Sequence, residues 1–160
     1  MDKLRIGVIG LGRMGKVHIA ALKNNPRVEI LGICDTDIKM AHECTRLFNI
    51  PWAVKNWEDL LSEKDLDIID IILPNYLHAP VALSALKHGK EIICEKPLAL
   101  SFRELKKIEN AARAANKHVY LKQYLRYSKL HQRVAELIST GAIGNTYLSV
   151  CQYFSNSRKI

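Results

Sequence analysis

The feature that most constrains the fold is a glycine-rich turn between an apolar run and a helical pattern. Residues 4–9 form the apolar run, residues 16–23 carry the apolar spacing of an amphipathic helix, and a second apolar run covers residues 28–34. Strand, helix and second strand in this order predict a parallel βαβ unit. The glycines of the turn are Gly10, Gly12 and Gly15.

The spacing of these glycines suits a backbone that approaches a dinucleotide pyrophosphate. Gly10 permits a tight strand-to-helix turn, Gly12 leaves room for the phosphates, and Gly15 allows the helix to pack closely on the strand. Amides at the start of the helix, where Arg13 and Met14 lie, are predicted to bind the phosphates. The alternative is a plain glycine turn, which the complete βαβ context disfavours.

An acidic residue follows the second apolar run. Asp35 lies 20 residues after Gly15, at the position where such units bind the adenosine ribose. Its carboxylate would accept hydrogen bonds from the ribose hydroxyls and repel a 2′-phosphate, so the sequence favours NAD over NADP. A nearby Arg or Lys can reverse this preference.

Strand and helix patterns alternate beyond this unit. Residues 68–73 are almost continuously apolar and β-branched, as expected of a central parallel strand. The sequence therefore predicts an α/β fold with a doubly wound parallel sheet, a Rossmann domain over residues 1–121. Further predicted elements are strands at 52–54, 91–94 and 118–121, helices at 37–48, 79–88 and 101–116, a short helix capped by Asn56, and a capping box at Ser101 and Glu104.

The pattern changes after residue 121. An amphipathic helix is predicted at 128–139, and residues 147–154 alternate like a half-buried strand. Residues 122–160 are therefore expected to begin a second α/β domain that stays incomplete. An unpaired strand is a template for a second copy, so self-association is expected.

The composition and charge of the chain limit the classes of molecule with which it is expected to interact. The net charge of +8 lies entirely in residues 101–160, which hold 11 Lys and Arg against 3 Asp and Glu. These charges are spread over helical faces without interleaved aromatics, so no nucleic-acid partner is predicted. The chain shows no leader and no run of about 18 apolar residues, and a cytoplasmic protein without membrane contact is expected. No metal site is predicted, and the four cysteines are interpreted as reduced core thiols: Cys34, Cys44, Cys94 and Cys151.

Ligands of open α/β sheets bind beyond the carboxyl ends of the strands. Besides the turn and Asp35, residues 74–78 and 95–97 follow predicted strands. Lys96 comes directly after a buried strand, and its bond to Pro97 is a candidate for the cis form. We interpret Lys96 as the candidate catalytic residue, which can bond a substrate hydroxyl or move a proton, the alternative being a surface lysine. His18 is interpreted as a packing or capping residue.

Together these motifs resemble the glucose-fructose oxidoreductase/inositol dehydrogenase/MocA (Gfo/Idh/MocA) family over essentially the whole chain. The resemblance rests on the glycine turn, Asp35 and residues 73–78, 89–99 and 141–144, with Glu-Lys-Pro after a strand as the most specific part. It implies a nicotinamide-dependent oxidoreductase of sugars, cyclitols or related polyols. It also implies catalysis by Lys96, and cofactor contacts by Pro74, Asn75, His78, Glu95, Lys96, Pro97, Gln123 and Arg126.

The chain departs from the family pattern in its second half. Family members are usually twice as long, and their second domain supplies an Asp and a His to the site; this His is absent here. The proline often found after the last Rossmann strand is missing, since residues 126–129 read Arg-Tyr-Ser-Lys. Three interpretations stay open: the cofactor-binding part of an oxidoreductase, a stand-alone NAD(H)-binding protein without turnover, and an interaction protein that pairs through residues 147–154.

Overall fold

A computed structural model describes residues 3–152 of the chain. Its sheet has six parallel strands in the order β3-β2-β1-β4-β5-β6. The strands are β1 (Leu4–Ile9), β2 (Val28–Cys34), β3 (Trp52–Val54), β4 (Ile68–Ile71), β5 (Glu91–Cys94) and β6 (Val119–Leu121). The helices between them are α1 (Arg13–Lys23), α2 (Ile38–Phe48), α3 (Trp57–Leu61), α4 (Asn75–Lys87) and α5 (Phe102–Ala115). The predicted doubly wound α/β fold is confirmed.

The strand order reverses between β1 and β4. The chain runs from β1 through β2 to β3 at one edge of the sheet, and then crosses to β4 on the other side of β1. In open parallel sheets this reversal opens a crevice at the carboxyl ends of the strands, because the connections on its two sides run to opposite faces.

Two hydrophobic clusters cover the two faces of the sheet. Alternate residues of β4 belong to different clusters. Ile69 and Ile71 lie in one cluster together with Leu60 of α3. Ile68 packs against the other cluster, which includes Ile19 of α1. Period-two alternation with apolar side chains on both faces is what a strand covered by helices on each side requires. The core therefore holds the carboxyl ends of β1, β4 and β5 in fixed positions.

Three predicted boundaries differ from the structure by two residues or more. α1 begins at Arg13, immediately after the turn, and α4 begins at Asn75 with Pro74 as its N-cap, one turn before the predicted start at residue 79. The predicted start was wrong because Pro80 was placed in the first turn of the helix, whereas it lies inside the second. β4 ends at Ile71, before the predicted end at residue 73.

Capping chemistry was predicted in part. The Ser101 hydroxyl accepts a hydrogen bond from the Glu104 N–H at 3.2 Å, but the Glu104 carboxylate accepts from Leu100 and not from Ser101, so the capping box closes one residue early. Asn56 occupies the N-cap of α3 without a side-chain hydrogen bond. Asp37 caps α2 by accepting from the N–H groups of the second and third residues after it.

The chain divides into two compact units, Met1–Lys122 and Gln123–Ile160. In the second unit, a 3₁₀ helix covers Tyr124–Tyr127 and α6 covers Lys129–Ser139, close to the predicted helix. The predicted strand at 147–154 is wrong for residues 147–152, which form no strand and are all exposed. Within the described part of the chain, no strand lies beside residues 147–152, so their alternating apolar residues have no partner with which to form a sheet. Residues 153 and 154 lie outside the described residues.

The cysteine prediction holds for three residues of four. Cys34, Cys44 and Cys94 are buried free thiols, whereas Cys151 is a free thiol that is exposed. The interpretation of Cys151 as a core thiol was therefore wrong, because residues 147–152 form no strand and are all exposed.

Candidate functional site

A cleft of about 580 Å³ lies at the carboxyl ends of β1, β2, β4 and β5. It contains ten of the fourteen predicted site residues: Gly10, Gly12, Met14, Gly15, Asp35, Pro74, Asn75, His78, Glu95 and Lys96. Thr36 and Tyr76, which lie inside segments predicted to follow strands at the cleft, also line it. Other lining residues escaped prediction because they carry no motif, among them Met40, Lys55 and Trp57. Arg13 and Pro97 flank lining residues in the chain without lining the cleft themselves. Gln123 and Arg126 belong to the second unit, and their cofactor contacts stay predictions.

The glycine turn is built by close backbone approaches. Gly10 has a φ of +98°, and a Cβ there would overlap the carbonyl oxygen of Ile72. A Cβ at Gly15 would overlap the carbonyl oxygen of Gly10. Both positions therefore require glycine for the turn itself, independently of any ligand.

The start of α1 is open to a ligand. Gly12 is the N-cap and provides no side-chain hydrogen bond, and a Cβ added at Gly12 would meet no atom within 4 Å. The first N–H groups of a helix have no intrahelical partner, and an uncapped helix start is a binding site for anions such as phosphate. The first turn of α1 carries no acidic residue that would compete with such an anion.

Asp35 is held rigidly at the end of β2. Its Oδ2 accepts a hydrogen bond from the Leu11 N–H at 2.8 Å, and its Oδ1 accepts from the Asp37 N–H at 3.0 Å. Oδ1 also accepts from the Thr36 hydroxyl at 3.5 Å, whereas Oδ2 has a second lone pair that can accept a further bond. The carboxylate thus links the glycine turn to the cleft wall where a ribose would lie. Lys55 lines the same cleft.

The opposite side of the cleft is formed by the start of α4. Pro74 is the N-cap, and Asn75 and His78 lie in the first turn. His78 is fully buried; its Nδ1 lies 2.6 Å from the Pro97 carbonyl oxygen, and its Nε2 lies 2.8 Å from the Leu73 carbonyl oxygen. This imidazole therefore joins α4 to the segment after β5.

Lys96 lies exposed at the rim of this cleft. Its peptide bond to Pro97 is cis, as the sequence indicated. Its backbone N–H donates to Glu95 Oε2 at 3.2 Å, so the Glu95 side chain folds back onto the Lys96 backbone. The arrangement leaves the Lys96 ammonium available at the cleft while its backbone is held.

A buried network behind Lys96 escaped sequence reasoning. His18 is 3% exposed; its Nδ1 lies 2.9 Å from Asp70 Oδ2, and its Nε2 lies 3.2 Å from Glu95 Oε1. Lys122 Nζ lies 3.0 Å from the same Nδ1. His18 is thus more than the packing or capping residue inferred from its helix. The available signal was Asp70, an acid inside an apolar strand, which must find a polar partner when buried.

The buried thiols near the cleft are chemically inert at neutral pH. Burial raises the pKa of Cys34 and of Cys94 to about 12, and nearby carboxylates add to the effect, Asp35 for Cys34 and Asp70 for Cys94. A thiol is nucleophilic only as the thiolate. Neither cysteine is therefore a candidate nucleophile.

Two negative findings complete the description of residues 3–152. Within this range no group of three or more His, Cys, Asp or Glu side chains is placed to hold a metal ion. None of its helices is long and apolar enough to cross a membrane.

Residues 4–123 match a known family. The family model described as "Oxidoreductase family, NAD-binding Rossmann fold" covers residues 4–123. The chain belongs to this family. It is the Gfo/Idh/MocA family that the motifs resemble, and the predicted resemblance is confirmed. Residues 4–123 therefore carry the NAD-binding Rossmann domain of a Gfo/Idh/MocA protein.

Individual relatives are sugar and cyclitol dehydrogenases. Levoglucosan dehydrogenase of Pseudarthrobacter phenanthrenivorans is 33% identical over 90% of this chain and 39% of its own length. Inositol 2-dehydrogenase of Salmonella typhimurium is 28% identical over 96% of the chain and 47% of its own. The chain thus spans less than half the length of these curated relatives.

Solved structures share the fold. The crystal structure of myo-inositol 2-dehydrogenase from Lactobacillus plantarum superposes with a TM-score of 0.84 at 26% identity, over 89% of this chain and 43% of that one. Scyllo-inositol dehydrogenase from Lactobacillus casei, solved with bound NAD(H) and scyllo-inositol, gives a TM-score of 0.85 at 21% identity, over 89% and 43% of the two chains. The second likeness is one of fold alone.

Proposed function

We propose that the cleft of the first unit binds NAD(H), with NAD favoured over NADP. The observation that carries this proposal is the joint placement of the uncapped start of α1 and the rigid Asp35 carboxylate along one cleft. The first suits a pyrophosphate, and the second suits the free hydroxyls of a ribose. A 2′-phosphate would meet the Asp35 charge, and Lys55, one of the two lysines that line the cleft, could offset it.

We further propose that the protein acts as an oxidoreductase on sugars, cyclitols or related polyols. Family membership, the dehydrogenase names of the relatives and Lys96 at the rim of the cleft support this activity. When bound, NAD supplies the carbon that takes up a hydride from a carbinol carbon. Lys96 Nζ bonds the substrate oxygen: in the oxidising direction the amine takes the carbinol proton as the hydride leaves, and in the reducing direction the ammonium returns a proton to the carbonyl oxygen as the hydride arrives. Glu95 holds the Lys96 backbone meanwhile.

The cofactor proposal is tested by titration with NADH. Trp57 lines the cleft and Trp52 packs nearby in the core, so bound NADH is expected to quench their emission by energy transfer. Saturable quenching is the expected result. No saturation up to millimolar NADH would overturn the proposed cofactor site.

The catalytic proposal is tested by turnover on a panel of sugars and inositols. We expect Lys96→Ala to lower kcat by at least about 100-fold, the usual range for loss of a general acid or base, and to lower NADH affinity by much less, because Lys96 is only one of several predicted cofactor contacts. Lys87→Ala, which removes an exposed lysine of α4, is the matched control. NADH binding without turnover on any substrate would instead favour a stand-alone dinucleotide-binding protein.

We also propose that the protein self-associates, resides in the cytoplasm and binds neither nucleic acid nor membranes. Three buried free thiols favour a reducing compartment. Sedimentation equilibrium tests the self-association, since a single species of 18.2 kDa at all concentrations would contradict it. A gel-shift assay with duplex DNA and with single-stranded RNA tests the expected lack of nucleic-acid binding.

A further inference from the structure

Two buried histidines contact the segment around Lys96 from both sides. His18 reaches Glu95, the residue before Lys96, and His78 reaches Pro97, the residue after it. Both rings are almost completely buried, with exposed fractions of 3% and 0%. An imidazole in an apolar interior costs free energy unless its nitrogens are hydrogen-bonded, so a packing role alone does not explain either residue.

On the first side, the contacts of His18 define where its proton lies. Nδ1 faces both Asp70 Oδ2 at 2.9 Å and Lys122 Nζ at 3.0 Å, while Nε2 faces only Glu95 Oε1 at 3.2 Å. In a singly protonated ring whose Nδ1 accepts from Lys122, the one proton must be on Nε2. In a doubly protonated ring, Nδ1 donates to Asp70 and Nε2 also carries a proton that it can donate. The remaining form would set a bare nitrogen against the Glu95 carboxylate. The arrangement therefore favours an N–H donated to Glu95.

On the second side, His78 lies between two carbonyl oxygens. Its Nδ1 is 2.6 Å from the Pro97 oxygen, and its Nε2 is 2.8 Å from the Leu73 oxygen. A carbonyl oxygen can only accept, so whichever nitrogen carries a proton donates. A doubly protonated ring would donate to both oxygens, whereas a singly protonated ring leaves one bare nitrogen against an acceptor. In the singly protonated ring the shorter contact favours the proton on Nδ1, so in both of these forms Nδ1 donates to Pro97.

We propose that His18 and His78 are positioning residues that hold Lys96 between them. Each imidazole spans from the end of β4, at Asp70 or Leu73, to one neighbour of Lys96. The Lys96 N–H donates to Glu95 Oε2, so an ordered Glu95 carboxylate also orders the Lys96 backbone. We call this pair of imidazoles the clamp. Its role in holding Lys96 for catalysis rests on the proposed function, because Lys96 acts on a substrate only under that proposal.

The first test needs neither a variant nor a cofactor. Long-range ¹⁵N–¹H spectra of the uniformly labelled chain report which imidazole nitrogens are protonated. We expect protonated nitrogen shifts at His18 Nε2 and at His78 Nδ1. An unprotonated Nε2 in His18, or an unprotonated Nδ1 in His78, would overturn the clamp on that side even if every variant failed to fold.

The second test measures hydrogen exchange in variants. His18→Leu is expected to raise the exchange rate of the Lys96 amide about threefold to tenfold, as for the loss of one hydrogen bond. The Glu95 amide, which donates to the Ile71 carbonyl in the sheet, serves as an internal reference that a local clamp leaves unchanged. His78→Leu is expected to shift the Pro97 carbonyl ¹³C resonance away from its hydrogen-bonded position.

Conservative and remote variants complete this test. Glutamine keeps one N–H donor, so His18→Gln and His78→Gln are expected to recover part of each effect. His42→Gln replaces an exposed histidine of α2 and should change neither signal. Equal acceleration at Lys96 and Glu95, or no acceleration at Lys96 in a folded His18→Leu variant, would overturn the positioning role.

The clamp and the proposed function can fail separately. Failure of the wild-type chain to bind NADH would overturn the proposed function while leaving the imidazole and exchange results intact. Conversely, an unperturbed Lys96 amide in a folded His18→Leu variant and an unshifted Pro97 carbonyl in a folded His78→Leu variant would remove the clamp, while saturable NADH binding by the wild-type chain would leave the cofactor site standing.

Discussion

The two sides of the cleft are built by different means. The first wall, residues 10–15 with Asp35, is formed by backbone approaches and by a carboxylate that bonds amides. The second wall, residues 74–78 with residues 95–97, is held by buried imidazoles that reach across the chain. A wall made of backbone depends on a few local residue types, whereas a wall made of side-chain bridges depends on distant partners. Substitutions that add a side chain against the backbone should therefore disrupt the first wall, and substitutions that remove a particular hydrogen bond should disrupt the second.

The largest effect is expected at the first wall. Gly10→Ala places a Cβ against the Ile72 carbonyl at a φ of +98°, so we expect the free energy of unfolding to fall by about 2 kcal/mol or more. Gly12→Ala adds a Cβ in open space and should change stability by less than about 1 kcal/mol, while weakening NADH binding about tenfold or more by filling the phosphate position. Urea unfolding and NADH titration of both variants check this contrast. Equal stability of the two variants would show that the turn tolerates a side chain at residue 10.

A smaller effect is expected at the carboxylate of the first wall. Asp35→Ala should weaken NADH about tenfold, as for the loss of hydrogen bonds to a charged acceptor, and should leave NADPH affinity unchanged or improved. The reason is that the carboxylate accepts from ribose hydroxyls but repels a 2′-phosphate. Asp37→Ala is the control, since Asp37 caps α2 and should lower stability without altering the preference. An equal loss for both dinucleotides would refute the ribose assignment.

These contrasts show what the sequence could and could not reveal. The first wall was predictable because its glycines and Asp35 lie within one βαβ unit, and their roles follow from local geometry. The position of Lys96 was predictable because it follows a buried strand. The bridges of the second wall were missed, since His18 meets partners 52 and 77 positions away and a lone histidine in a helix gives no local signal. Only Asp70, buried in an apolar strand, pointed to a missing partner.

A smaller and more selective effect concerns the thiols behind the second wall. Cys94 directly precedes Glu95 and is buried, and its pKa is raised to about 12. A raised thiol pKa keeps the group protonated, so alkylation of Cys94 in the folded chain should not accelerate between pH 7 and pH 9. Exposed Cys151 should react under the same conditions, and mass spectrometry of the peptides distinguishes the two. Cys151→Ser should abolish labelling of the folded chain, and labelled Cys94 would show that the second wall opens readily.

The smallest effect is expected from comparing an N-cap that makes a side-chain hydrogen bond with one that makes none. The Ser101 hydroxyl accepts from the Glu104 N–H at the start of α5, the helix that follows the second wall, whereas Asn56 caps α3 without a side-chain hydrogen bond. Ser101→Ala should therefore lower the free energy of unfolding by about 1 kcal/mol, and Asn56→Ala by a few tenths at most. Thermal unfolding of the two variants measures the difference. Both caps occur in sequence patterns that predict helix starts, so an equal loss would mean that residue type alone decides capping. A larger loss at Ser101 would mean that even the most local signals in this chain depend on the geometry they meet.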